Sequence, residues 1–202
     1  MSKAPLSAIN SSAWSAAHAR HLLNRAGFGV PRELAGRLAN MTSSEAVDYL
    51  VDYRRIDDPL PSPDFVIPQF SKAETQWLTD GMARPAIERA GQAGREVQKE
   101  SVGMLRAWWF DRMARTPRPL EEKLTLFWHG HFAVSANKVQ ESGHLYQLNS
   151  VMREHAAGNV KTLTTLVGQS PAMLQYLDSA QNTKDGPNEN WARELLELFT
   201  LG

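Results

Sequence analysis

The stretch that most constrains this chain runs from Arg118 to Phe132, Arg-Pro-Leu-Glu-Glu-Lys-Leu-Thr-Leu-Phe-Trp-His-Gly-His-Phe. Pro119 suits a first helical position, where a missing N–H costs nothing, and Glu121 and Glu122 follow where the helix dipole favours negative charge. A helix is predicted to start there. At about 100° per residue, Leu120, Leu124, Phe127 and Trp128 share a broad apolar face, whereas Glu122, Thr125 and His129 lie within roughly 60° on the opposite side. Gly130 and the run Ala133 to Asn137 are expected to end it.

The chain as a whole bounds what can surround that helix. Its 202 residues are 42% apolar, enough for a real core, and are read as a single helical domain, 1–202. Lys plus Arg equals Asp plus Glu at 22 each, so no net field favours nucleic acid or an acidic membrane, and neither partner is indicated. Cysteine is absent, which excludes disulfides, thiolate nucleophiles and thiolate metal sites. Any divalent metal would need His, carboxylate or amide ligands. The first twelve residues hold no apolar run long enough for a signal peptide, and nothing later is long enough to span a bilayer. The default expectation for compartment is cytoplasmic.

Taken in order, a first helix is expected after Ser11 or Ser12, carrying Trp14 through Arg25. His18 and His21 stand three apart on it, but with no carboxylate beside them they read as polar-edge side chains. Gly27-Phe28-Gly29 stops that helix, and Pro31 can open the next. It is not a phosphate loop, which would need a longer Gly-bounded run ending in Gly-Lys-Ser/Thr. Thr42 with Glu45 three residues later predicts a capping box and a helix to about Arg54. Pro59, Pro61, Pro63 and Pro68 make 56–70 an extended connection. Helix-forming composition returns from Ser71, is interrupted near Gly81 and Pro85 and loosened by Gly91 and Gly94, and firms into a helix from about Glu96 to Arg115. Trp108, Trp109 and Phe110 in that helix point three ways, so contact on several sides is expected.

Beyond the opening stretch, Ser142 is expected to cap a helix, with Leu145, Leu148 and Met152 facing one way. Asn159 and Ser170-Pro171 predict short helices at Val160 to Val167 and Pro171 to Leu177. The final helix is expected from Pro187 or Asn188, with Trp191, Ala192, Leu195, Leu196, Leu198 and Phe199 filling an arc of roughly 160°. Glu189 and Arg193 are placed for an ion pair at i,i+4. Strands find no support, so the expected fold is all-α: an irregular multi-helix domain with short connections and one proline-rich extended linker.

Gly27-Phe28-Gly29, Leu124 through Phe132, Arg153-Glu154-His155 and Pro187 through Gly202 together resemble the bacterial family catalogued as domain of unknown function 1800. The resemblance runs from about His18 to the last residue. It implies little about activity, because the family is named for having none assigned. It also implies that the chain is a C-terminally truncated member, the N-terminal part of a larger domain whose missing C-terminal part would be a partner. Many relatives look exported, and this chain lacks the signal that would export it.

Two function classes follow from the residues. One is metal-assisted hydrolysis, with His129 and His131 as ligands to a divalent metal and Glu122, Glu189 or Glu194 as a further ligand or general base toward an unknown small-molecule substrate. Residues two apart lie about 200° apart on a helix, so this reading needs the helix to open at Gly130 and the Asn188-Glu189-Asn190 helix start to dock against Trp128 to His131. The other is a non-catalytic binding or assembly module whose polar stripes hold helices in register. No serine sits in Gly-x-Ser-x-Gly, and Ser135, Ser142, Ser150 and Ser170 offer no nucleophile motif. Whether the five candidate side chains line one open pocket separates the two classes.

Overall fold

A computed structural model of the chain describes residues 13–64 and 80–200, and the regular elements among them are helices. The fold is all-α, as the periodicities predict, with one isolated bridge between Thr183 and Gly186. Among the described residues no helix is long and apolar enough to cross a membrane. The chain gathers into two compact units: Met1–Leu60 with Asp111–Lys123, and Pro61–Phe110 with Leu124–Gly202.

The first unit holds α1 (Ala16–Ala26), α2 (Arg32–Ala39) and α3 (Ser43–Val51), with a 3-10 turn at Tyr53–Arg55. The capping box forms as expected: the Thr42 hydroxyl accepts from the Glu45 N–H at 3.2 Å, and the Glu45 carboxylate accepts from the Thr42 N–H at 2.8 Å. Ala19, Leu23, Leu38, Ala46 and Leu50 interlock as the core. Trp14 lies outside the first helix, contrary to expectation, because Ser15 takes the N-cap position. Its indole N–H instead donates to the Leu38 carbonyl at 3.1 Å, a second donor to an oxygen that also accepts from the Met41 N–H at 3.2 Å. Ser11 and Ser12 lie outside the described residues. Gly27 is needed for a reason other than the one expected. Its backbone is ordinary extended chain (φ −149°), but a Cβ there would stand 2.8 Å from the Cβ of Pro119.

Two helices contribute to both units, α4 (Arg84–Arg115) and α5 (Pro119–His131). The first runs 32 residues and passes through Gly91 and Gly94 without a break. Each glycine costs a helix only about 1 kcal/mol, less than the flanking Ala, Glu, Gln and Arg residues and continuous hydrogen bonding sustain. Residues 56–64 of the expected connection form no helix or strand. Its remainder, and the helix-forming stretch from Ser71, lie outside the described residues. Phe110 was expected to be packed but is 70% exposed.

In the second unit α6 (Ser142–Glu154), α7 (Val160–Gly168) and α8 (Pro171–Tyr176) surround Phe132, Val139, Leu148, Met152, Leu163 and Val167. Asn159 and Ser170 cap as expected, accepting from the N–H groups of Thr162 and Met173 at 3.1 and 3.3 Å. Ser142 does not cap: it is the first residue of α6, and its N–H donates to the Gln98 side-chain oxygen at 3.1 Å. Its hydroxyl is buried against Ser101 at 2.9 Å. The final helix is also shorter than expected. After α9 (Asn190–Glu194) the chain widens into a π-helical turn, Leu195–Thr200. Bonds to the fifth residue shift the register, so the expected apolar arc divides: Phe199 is buried while Leu196 and Leu198 are exposed.

Gly168 stands so close to Trp191 that a Cβ would come within 2.4 Å of the indole Cζ2, whereas a Cβ at Gly36 meets nothing within 4 Å. Gly168→Ala is therefore expected to destabilise by about 1–3 kcal/mol through overpacking. Gly36→Ala, inside α2, should stabilise by about 0.4–1 kcal/mol. Urea denaturation of the two variants, read by circular dichroism, checks the opposite signs.

Candidate functional site

The polar stripe of α5 faces inward. Glu122 and Thr125 are fully buried, while Phe127 on the opposite, apolar face is 58% exposed. A buried carboxylate needs a counter-charge, since an unpaired one loses its hydration without return. Arg112 supplies it from the last turn of α4: its Nε donates to Glu122 Oε1 at 2.6 Å. The other side of the guanidinium donates through Nη2 to Asp58 and lies 3.9 Å from Glu121. Arg118 closes the cluster, standing 3.6 Å from Glu121 and donating from Nε to the Ile56 carbonyl at 2.7 Å. Burial opposes the charge of Arg112, but the hydrogen bond and charge of Glu122, then those of Asp58, outweigh it and hold its proton more tightly than usual.

This network belongs wholly to the first unit, as does Glu122; the other four candidates belong to the second. There, α5 continues through Gly130 to His131. The opening that a shared metal required does not occur, so the two imidazoles leave the helix about 200° apart. His129 packs its ring on Trp109, centroids 5.0 Å apart, and burial pushes its pKa down from the ordinary 6.5. Desolvation favours its neutral form. His131 Nε2 lies 2.9 Å from the Phe199 carbonyl. A carbonyl only accepts, so Nε2 carries the proton and is not a free metal ligand. The His131 ring is also ringed by Phe127, Trp128, Phe132 and Phe199 at 4.8–6.2 Å.

Glu189 and Arg193 form the expected i,i+4 pair at 3.3 Å, with the Glu189 side chain 74% exposed. Glu194 stands 3.9 Å from the same guanidinium. The Asn188-Glu189-Asn190 start does not bond to α5. Asn188 and Asn190 donate their side-chain N–H groups to the Leu177 carbonyl at 3.2 and 3.4 Å. It is the far end of the segment, at Phe199, that meets His131.

Among the described residues no three His, Asp or Glu side chains are grouped as a metal cage requires. Of the open hollows there, one is lined by Arg37, Asp48, Tyr49, Asp52, Arg55 and Ile56 and another runs along α4; none of the five candidates lines either of these. Sequence reasoning missed Arg112, Asp58 and Arg118. Arg112 had a signal, since a short corner between two helices brings residues ten apart together. Asp58, 54 residues from Arg112, had none.

Compared with known proteins, residues 21–202 match the family described as Protein of unknown function (DUF1800). No curated protein and no solved structure matches.

Two consequences can be measured. Arg112→Ala leaves Glu122 and Asp58 without their shared cation and is expected to cost about 3–5 kcal/mol in denaturant unfolding. For His129, a pKa lowered in the folded state means that the unfolded chain takes up the proton first. Stability is therefore complete above pH 6.5 and falls as pH drops through the folded-state value. His129→Gln should flatten that part of the stability profile between pH 7 and 5, and an unchanged slope would show that the imidazole titrates alike in both states.

Proposed function

The chain belongs to this family of proteins of unknown function, and we propose that it is a non-catalytic helical binding or assembly module whose inward polar groups hold its helices in register. The observation that carries this reading is that each of the five chemical candidates is engaged by a neighbour within its own unit: Glu122 by Arg112, His129 by Trp109, His131 by Phe199, and Glu189 and Glu194 by Arg193. A general base needs a proton of substrate within reach, and a metal ligand needs a free lone pair aimed at a common point. For Glu122 and for Nε2 of His131, meeting either requirement would mean giving up a bond already made within the scaffold. Buried polar groups used this way specify which helix faces meet. Exposed apolar side chains, among them Phe127, Leu196 and Leu198, supply surface of the kind that partners cover.

Elemental analysis after exposure to zinc and removal of excess metal tests the reading on three proteins, the unaltered chain, His129→Ala and Glu194→Ala. No stoichiometric metal is expected in any of them. One metal per chain in the unaltered protein, lost in both variants, would return the assignment to metal-assisted hydrolysis.

A further inference from the structure

A face of α4 outside the groups considered so far carries a row of cations. On a helix at about 100° per residue, Arg95, Lys99, Val102 and Arg106 fall within roughly 60° of one another. Val102 is buried, and around it the three cations line one side of an open hollow of ≈ 480 Å³. Glu96, Ala136, Asn137 and Gln140 line the same hollow, so it holds three cations and one carboxylate. All of these residues belong to the second unit.

The row is not neutralised. Elsewhere on the same helix Arg84 pairs with Glu88 and Arg115 with Asp111, each four residues apart. Among the described residues no ion pair engages Arg95, Lys99 or Arg106. Of the nearby acids, Glu100 is turned about 140° from Arg95, and Glu96, which shares the hollow about 60° from Lys99, forms no ion pair with the row, leaving two positive charges in excess. Like charges at i,i+4 repel on a helix, so Arg95 and Lys99 stand where a bound anion stabilises both. Arginine forks suit the paired oxygens of a phosphate, and lysine adds a point charge. The outer cations are eleven residues apart, about 16 Å along the axis at 1.5 Å per residue. One small anion reaches part of that row, whereas a linear polyanion reaches its length. A hollow of this volume is in the size range of small-molecule sites.

We propose that this hollow binds a small, elongated phosphate-bearing polyanion, with Arg95, Lys99 and Arg106 taking successive phosphates and Asn137 donating to oxygens on the facing side. The assignment goes beyond the architectural reading of α5 and stands whether or not zinc binds in the experiment above.

The probe is inorganic tripolyphosphate, titrated calorimetrically into the whole chain at low salt, with citrate as the carboxylate comparison. Arg95→Glu, Arg106→Glu and the control Arg84→Glu all change exposed side chains, and thermal melts establish that each variant is folded. One-to-one binding is expected, tighter for tripolyphosphate than for citrate and weakened at least tenfold by Arg95→Glu and by Arg106→Glu. Arg84→Glu should change it less than twofold. The proposal is overturned if tripolyphosphate does not bind, if binding survives both charge reversals in the row, or if the control weakens it equally. Citrate binding as tightly as tripolyphosphate would overturn the phosphate assignment.

Discussion

The first unit depends on one buried guanidinium. Arg112 is reached by Asp58 from the segment after the 3-10 turn and by Glu122 from the first turns of α5, so three pieces of chain meet at a single planar group. Arginine suits the position because its fork presents donors in fixed directions to two carboxylates at once. The corner between α4 and α5 is held nearby, with the Arg118 N–H donating to the Thr116 hydroxyl at 3.0 Å and the Arg118 side chain reaching back to Ile56. Such a cluster adds little net stability over an apolar replacement, since desolvation offsets most of the attraction. Its value lies in direction: an apolar contact tolerates sliding, and a forked charge pair does not.

That constraint explains why α5 buries polar side chains as well as part of its apolar face, where Leu120 and Trp128 pack against the cores of their own units. Glu122 is drawn inward by Arg112, and the stripe it shares with Thr125 follows it. Phe127, on the other side, is left substantially in solvent, with its ring stacked on His131 at 6.2 Å and only 8° between planes. In the second unit the same helix contributes aromatic packing instead. Trp128 donates to the Ala156 carbonyl at 2.7 Å, and Phe132 meets Phe199 edge to face at 5.2 Å. One helix thus uses charge in one unit and rings in the other.

The features legible in the sequence were those decided within a few residues. The Thr42–Glu45 box, the Asn159 and Ser170 caps, the start at Pro119 and the Glu189–Arg193 pair each depend on a side chain reaching the backbone or a neighbour one turn away. The end of α5 was legible too, since the helix stops at His131 between Gly130 and the run from Ala133; what did not follow is a break at Gly130 itself, because one glycine weakens a helix without opening it. Ser142 misled because a hydroxyl suited to capping found Gln98 and Ser101, 44 and 41 residues away, as partners. Of the candidate site, the residue identities were legible and their grouping was not. The imidazoles and carboxylates are present and largely turned inward, but each toward a different neighbour.

By itself the sequence determined an all-α chain, the boundaries of its short helices, the absence of thiol chemistry and the family to which it belongs. These rest on hydrogen bonds and periodicities that close within one or two turns, and on motif order. Only the tertiary structure decided that Glu122 and Thr125 of α5 are buried, that the final segment widens into a π-helical turn, and that Arg112 rather than a histidine is the centre of the polar cluster. The reason is that the energy of a buried charge depends on what stands opposite it, and Asp58 reaches Arg112 only after the chain has folded back across more than fifty residues.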